Sequence, residues 1–331
     1  MDINAAFDEL QRTANADPEQ VREARTRRDL FESAFDAEDD VVQVVASGSL
    51  ARSTQRAPIN DVDVIVVYDA SEHPEWGREG DSADEALRYA GERVNHLLGA
   101  TNGAVAQVVR LARPGNHAVK CFFDDPNDPD GFTLDAMPAL RQADGTLLVP
   151  EKSSNRWIST DPEHLIRLVA DRQSAWDDFR PLVRVLKFWK DEQDTGLKSL
   201  TVEVLAIDHL PQETSRAKAL QRFFTAAQHA IELPIEDPAG LCGLIQSDLD
   251  VDKARAAIKA AASASWEAVI AQEHGDTNRA ACRWRSVFGD AFPEPEDGCP
   301  ADTNALGPIS VGVGIGTTTP RPVTDAPQGE V

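Results

Sequence analysis

Basic residues are in short supply: 33 Lys and Arg stand against 56 Asp and Glu, a net charge of −23 over 331 residues. Such a surface repels a polyphosphate backbone over most of its area, which excludes a broad, sequence-blind grip on long nucleic acid. A small anionic substrate stays open, given metal ions or a local basic cluster to receive it. Cysteines are few and scattered. Cys121, Cys242, Cys282 and Cys299 form no CxxC pair, and the 7 His residues build no HxxxH, HExxH or mixed Cys/His cluster. No structural zinc site is expected, and the thiols read as reduced and mostly structural. Long apolar runs are missing as well: Val64-Ile65-Val66-Val67 falls far short of the ~20 residues that span a bilayer. The N-terminal MDINAAFDELQRTANADPEQ is polar and acidic, unlike a signal peptide. These absences lead us to expect a cytoplasmic protein with no membrane partner. With 41% hydrophobic and 27% charged residues the remainder is ordinary globular composition, long enough for about two domains or one large composite one.

Along the chain, Asp17-Pro18 supplies a cap and first turn for a helix over 18–36, in which charges alternate with Val21, Leu30, Phe31 and Phe35. The β-branched run 41–46 reads as a strand ending at Ser47-Gly48-Ser49, and 61–68 reads as a second strand. A helix is expected over 83–98, then strands at 104–111, 118–123 and 132–137, with the turn-rich DDPNDPDG between the last two. From 162 the pattern is helical: 162–179, 181–193, 198–210, 213–230 and 251–272. The expectation is an α+β chain, with a mixed-sheet catalytic domain over 1–160 that includes an N-terminal helix, a helical nucleotide-binding domain over 161–295, and a flexible tail over 296–331.

The informative segment is GSLARSTQRAPINDVDVIVVY. Asp61 and Asp63 are two apart on a strand, so both carboxylates leave the same face, and the residues that follow are aliphatic, as in a buried central strand. Two desolvated carboxylates side by side repel each other, and a divalent cation removes that conflict. Taken alone, Asp-x-Asp equally describes a solvated pair at a strand entrance. Gly48-Ser49 lies at the end of the preceding strand, Ser49 12 residues ahead of Asp61. Glycine there lets backbone N–H groups approach a phosphate, and serine adds a hydroxyl donor. Farther on, Asp135 interrupts the apolar FTLDAMPAL, a costly placement unless the acid is paired or metal-bound. Asp124, Asp125, Asp128 and Asp130 are weaker candidates because they lie in a turn-forming loop.

Strand, Gly-Ser turn and acidic strand in this order resemble the polymerase-β-like nucleotidyltransferase superfamily. FTLDAMPAL is similar to the segment carrying the third aspartate in bacterial relatives of cyclic GMP-AMP synthase and oligoadenylate synthase, the CD-NTases. RVLKFW (184–189) followed by SLTVEVL (199–205) resembles that family's R-x-L-K-x-W … S-x-x-x-E-x-L pattern, and CRWRSVFGDAFP (282–293) its closing segment, so the likeness runs from about 20 to 293. The resemblance implies the polymerase-β-like mixed sheet with flanking helices followed by a helical domain. It implies two Mg²⁺ or Mn²⁺ ions held by Asp61, Asp63 and Asp135. It also implies nucleoside triphosphates held by Gly48, Ser49, Lys187 and Ser199. The implied activity is template-independent synthesis of cyclic or short oligonucleotide second messengers with pyrophosphate release, in antiphage defence.

Two alternatives stay open: transfer of a nucleotide to a tRNA, a protein or a small molecule such as an aminoglycoside, and a catalytically inactive nucleotide-binding module. Arg110 and Arg113 are candidates for the base pocket. The tail is a candidate handle for a regulatory or effector protein.

Overall fold

The computed structural model describes residues 1–78, 80–99 and 108–300. Its N-terminal helices are α1 (Ile3–Ala14) and α2 (Pro18–Phe35), the second started by Asp17, whose carboxylate accepts from Glu19 N at 2.8 Å with Pro18 in the first turn. There follow β1 (Val41–Ser47), the short helix α3 (Gly48–Arg52), β2 (Asp61–Tyr68) and α4 (Ser82–Leu97). Five further strands come next: β3 (Leu111–Pro114), β4 (Val119–Phe122), β5 (Thr133–Arg141), β6 (Leu147–Glu151) and β7 (Arg156–Thr160). The rest is helical: α5 (Pro162–Ala175), α6 (Phe179–Glu192), α7 (Ser199–His209), α8 (Arg216–Ala230), α9 (Val251–Glu273) and α10 (Thr277–Phe288).

The strands make one mixed sheet in the order β1-β2-β5-β4-β3, with β6 on the far end of β5 and β7 on β6. Among these described strands β2 and β5 pair in parallel and the other pairs are antiparallel. Period-two alternation divides β2 between two environments. Val62, Val64 and Val66 enter a core with Phe31 and Phe35 of α2 and Leu87, Ala90 and Val94 of α4. Ile65 and Val67 enter a smaller core on the other face with Val45, Ala139, Leu147 and Val149. Asp61 and Asp63 share parity with Ile65, so they leave the face opposite α2 and α4. A third core joins α6 to α10, centred on Trp189, Phe224, Trp284 and Phe288.

Several expectations are corrected. The polar N-terminus is a helix, and Ile3, Phe7 and Leu10 pack with the helical core, Phe7 meeting Trp284 edge-on at 5.0 Å. The strand expected over 104–111 is found only as Leu111–Pro114; 100–107 lie outside the described residues. Strands β6 and β7 at 147–160, within the span expected for the sheet domain, and the helix α10 were not foreseen. The thiols are not all reduced: Cys282 and Cys299, 17 apart, form a disulfide, leaving Cys121 buried and Cys242 exposed as free cysteines. Sequence spacing gave no warning of that bond, because the pairing depends on the chain turning back after α10. The expected tail over 296–331 lies outside the described residues from 301 on. Among the described residues no helix is long and apolar enough to cross a membrane.

Candidate functional site

Strand register brings the three acids together. Ser47 of β1 pairs with Asp63 of β2, and Asp63 pairs with Asp135 of β5, while Asp61 lies two residues before Asp63 on the same face. The consequence is electrostatic. Burial, then repulsion from Asp61 and Asp135, pushes the Asp63 carboxyl up to about 6, against relief from Arg52 and Lys120. Asp135 is also raised, by burial first and by Asp61, with Lys120 pulling it back. Lys120 of β4 pairs with Asp135 in register and was not singled out by sequence reasoning.

The turn after β1 is built around this cluster. Gly48 sits at φ +69°, and a Cβ on it would lie 1.8 Å from Asp63 Oδ2. Only glycine allows both the left-handed backbone and the approach of the carboxylate. A cavity of about 690 Å³ opens between sheet and helices, and its walls include Gly48, Ser49, Asp61, Asp63, Lys187 and Ser199. Asp135 is not on that wall; it lines an adjoining cavity of about 350 Å³, which shares Asp63 with the first. Arg110 and Arg113, the base-pocket candidates, line neither cavity. The loop acids are spent locally: Asp124 accepts from Phe132 N at 2.9 Å and pairs with Arg27 at 3.2 Å, and Asp125 and Asp128 accept backbone N–H groups within the turn.

Lys187, expected at the phosphates, lies on the cavity wall with its ammonium held in a buried network. Its side chain is 2% exposed, and the ammonium donates to the Thr54 carbonyl at 3.1 Å, to Thr54 Oγ1 at 3.2 Å and to Glu203 Oε1. All three protons are used. Glu203, 1% exposed, also accepts from Arg52 Nε at 2.6 Å and from Thr54 Oγ1 at 2.8 Å. Burial alone would raise Glu203, yet Lys187 and Arg52 outweigh it and hold the carboxyl below its ordinary value; burial lowers Lys187. This network clamps the α3 turn to α6 and α7. Arg184 of α6 reinforces it by donating to the Ser53 carbonyl at 2.9 Å.

Ser199 opens α7 and is exposed on the cavity wall, where unpaired helix N–H groups favour an anion. Arg56 is a further cation on that wall, paired with Asp191 at 3.0 Å and 5.5 Å from the Phe188 ring centre. Sequence reasoning passed over Arg52, Arg56 and Glu203, although the first two stand in the GSLARSTQR string and the third in SLTVEVL. For Glu203 the signal available was a charge inside an apolar segment; the polar string around Arg52 and Arg56 offered none. Among the described residues no three His, Cys, Asp or Glu side chains converge to hold a metal ion by themselves.

No protein-family model matches the chain. Similarity to a protein named "Probable cyclic nucleotide synthase" from Bacillus cereus (strain VD146) is 22% identity over 333 residues, covering 89% of this chain and 98% of that one. A cyclic AMP-AMP-AMP synthase of Escherichia coli (strain MS 115-1) is 25% identical over 284 residues, covering 76% and 83%. Among solved structures, E. coli MS115-1 CdnC with ATP superposes with a TM-score of 0.69 at 18% identity, over 88% of this chain and 99% of that one. The same CdnC in complex with HORMA-deltaN gives 0.63 at 19% identity, over 87% and 98%. With distant similarity to cyclic nucleotide synthases running along most of its length, the chain shares the fold of the bacterial CD-NTases.

Proposed function

We propose that the chain is an active, metal-dependent and template-independent nucleotidyltransferase that joins nucleoside triphosphates into a cyclic or short linear oligonucleotide, releasing pyrophosphate. The observation that carries this reading is the registered pair Asp63 and Asp135 beside Asp61, next to a nucleotide-sized cavity roofed by Gly48 and Ser49. The acids suit two divalent cations, Mg²⁺ or Mn²⁺. Their mutual repulsion is the kind a cation relieves, and Mg²⁺ is commonly held by one or two carboxylates with water and substrate phosphates filling the shell, so no closed protein cage is needed. Asp61 and Asp63 would hold both ions and Asp135 one, and the ions would supply charge neutralisation at the attacking and departing oxygens.

The protein's own groups do the rest. Gly48, Ser49 and Ser199 receive the triphosphate of the donor nucleotide in the large cavity, with Arg56 as a nearby cation. Asp135 accepts the proton of the attacking ribose hydroxyl, directly or through water. Lys187 acts one step back, holding the α3 turn through Thr54 and Glu203.

The E. coli relative's name makes an adenosine trinucleotide ring the first product to look for, and the CdnC:HORMA-deltaN complex makes a HORMA-type protein the first regulatory partner. A cytoplasmic role in antiphage defence is part of the same proposal. Purified protein with all four nucleoside triphosphates and Mg²⁺ or Mn²⁺, read by mass spectrometry, is expected to yield an oligonucleotide product. Replacing both Asp61 and Asp63 by alanine should abolish pyrophosphate release. Undiminished release from that double variant would remove the metal assignment, and no product from the wild type with its partner present would remove the synthase reading.

A further inference from the structure

Helix α9 packs one face against α8 and α10 and leaves the other in solvent. Along the outer face Ala256, Ala260, Ser263 and Ile270 follow at spacings of four, three and seven, the repeat that keeps residues on one side of a helix. The first three are exposed and Ile270 is half-buried. Trp266 stands beside them, 45% exposed, the largest apolar side chain left so open among the described residues. Small side chains let a second helix come close, and an indole ring in water gains by being covered.

Charge decides what can come there. The chain carries −23, so two copies repel each other over most of their surfaces. Between Lys253 and Gln272, however, Glu267 is the only acid, against Lys253, Arg255 and Lys259. These cations stand in the N-terminal half of α9, and Glu267 and Glu273 in the C-terminal half, so a second copy of the helix laid antiparallel sets opposite charges together. The match holds residue by residue. Lys259 and Glu267 lie four positions either side of Ser263, Ala260 and Trp266 three, and Ala256 and Ile270 seven. With two helices crossing at Ser263, Lys259 meets Glu267 of the partner copy, and Trp266 covers Ala260 of the partner copy. Lys253, Arg255 and Glu273 already have partners within the chain, at Asp194, Glu232 and Lys218. Glu267 holds Arg283 at 2.8 Å and keeps 22% of its side chain exposed. Lys259 is exposed and, among the described residues, in no ion pair.

We propose that α9 is a self-association surface, on which two copies of the chain pair antiparallel about a two-fold axis at Ser263. Such a contact is isologous: each copy gives one Trp266 and receives the other. No residue of α9 lines either cavity beside the acids, so pairing leaves the site of each copy open and stands apart from the synthase reading. One helix pair buries little surface compared with a permanent dimer, which puts the association in the micromolar range.

Sedimentation equilibrium of the full chain from about 1 to about 100 µM is expected to show monomer and dimer in a concentration-dependent balance. Trp266→Ala, at an exposed position that the fold does not rest on, should weaken the dimer about tenfold or more. The axis gives a sharper test. The Ser263→Glu variant sets two carboxylates against each other across the axis and should stay monomeric, as should Ser263→Lys with two ammonium groups. An equimolar mixture of the two should dimerise again, because only the mixed pair brings opposite charges together. A wild type that stays monomeric over the whole range overturns the proposal and leaves Trp266 to be covered by residues 301–331 or by a different protein. A dimer that Trp266→Ala leaves untouched, or a mixture that stays monomeric, overturns it as well.

Discussion

Asp63→Asn is a sharp test of the electrostatic account, because asparagine keeps the shape of the side chain and removes its charge. In the metal-free protein, native Asp63 holds its proton up to about pH 6, whereas in the unfolded chain an aspartate releases it near ~4. Between those values the native state binds the extra proton, so wild-type stability falls as pH climbs through the window. A shift of about two units corresponds to about 2–3 kcal/mol once the group is fully ionised. The variant should therefore be more stable than wild type by that amount at pH 8 with chelator present, and the gap should shrink to about half near pH 5. Urea titrations at both pH values measure it. Mg²⁺ should then stabilise wild type and leave the variant nearly unmoved, while pyrophosphate release is lost in the variant. A variant no more stable than wild type at pH 8, or a gap that does not change with pH, would mean that hydrogen bonds satisfy the carboxylate and that repulsion is not what this site stores.

Two other substitutions probe how the site is held. Gly48→Ala must move the Asp63 carboxylate, since the new Cβ falls 1.8 Å from Oδ2 at a backbone φ of +69°; turnover should drop about a hundredfold or more and stability by about 1–3 kcal/mol. Activity within a few-fold of wild type would count against the close approach. Glu203→Gln leaves Lys187 and Arg52 facing each other in a buried site, and a loss of about 3–5 kcal/mol is expected in urea unfolding. A loss under about 1 kcal/mol, the exposed-pair range, would show the network to be solvated.

Much of this site was legible in one dimension. The alternation in DVDVIVVY fixes that Asp61 and Asp63 share a face, since side chains in a strand alternate whatever surrounds them. The glycine of Gly48-Ser49 announced a backbone few other residues adopt. Asp135 stood out because a charge in an apolar strand requires a partner. Each of these signals is local, carried by residues within a few positions of one another.

What the sequence by itself determined is therefore the acids, the turn that meets them, the order of sheet before helices, and, from composition, a surface that repels long nucleic acid. Tertiary structure decided the rest. Strand pairing, which joins β2 to β5 across some 70 positions and β5 to β4, set Asp63 beside Asp135 on one side and Lys120 beside Asp135 on the other. Packing of α6 and α7 against the α3 turn took Lys187 from a free cation to a member of a buried network with Glu203, Arg52 and Thr54. The return of the chain after α10 joined Cys282 to Cys299. These are pairings between distant segments, and their partners are selected by burial and register in three dimensions, for which no local pattern in the sequence is a signal.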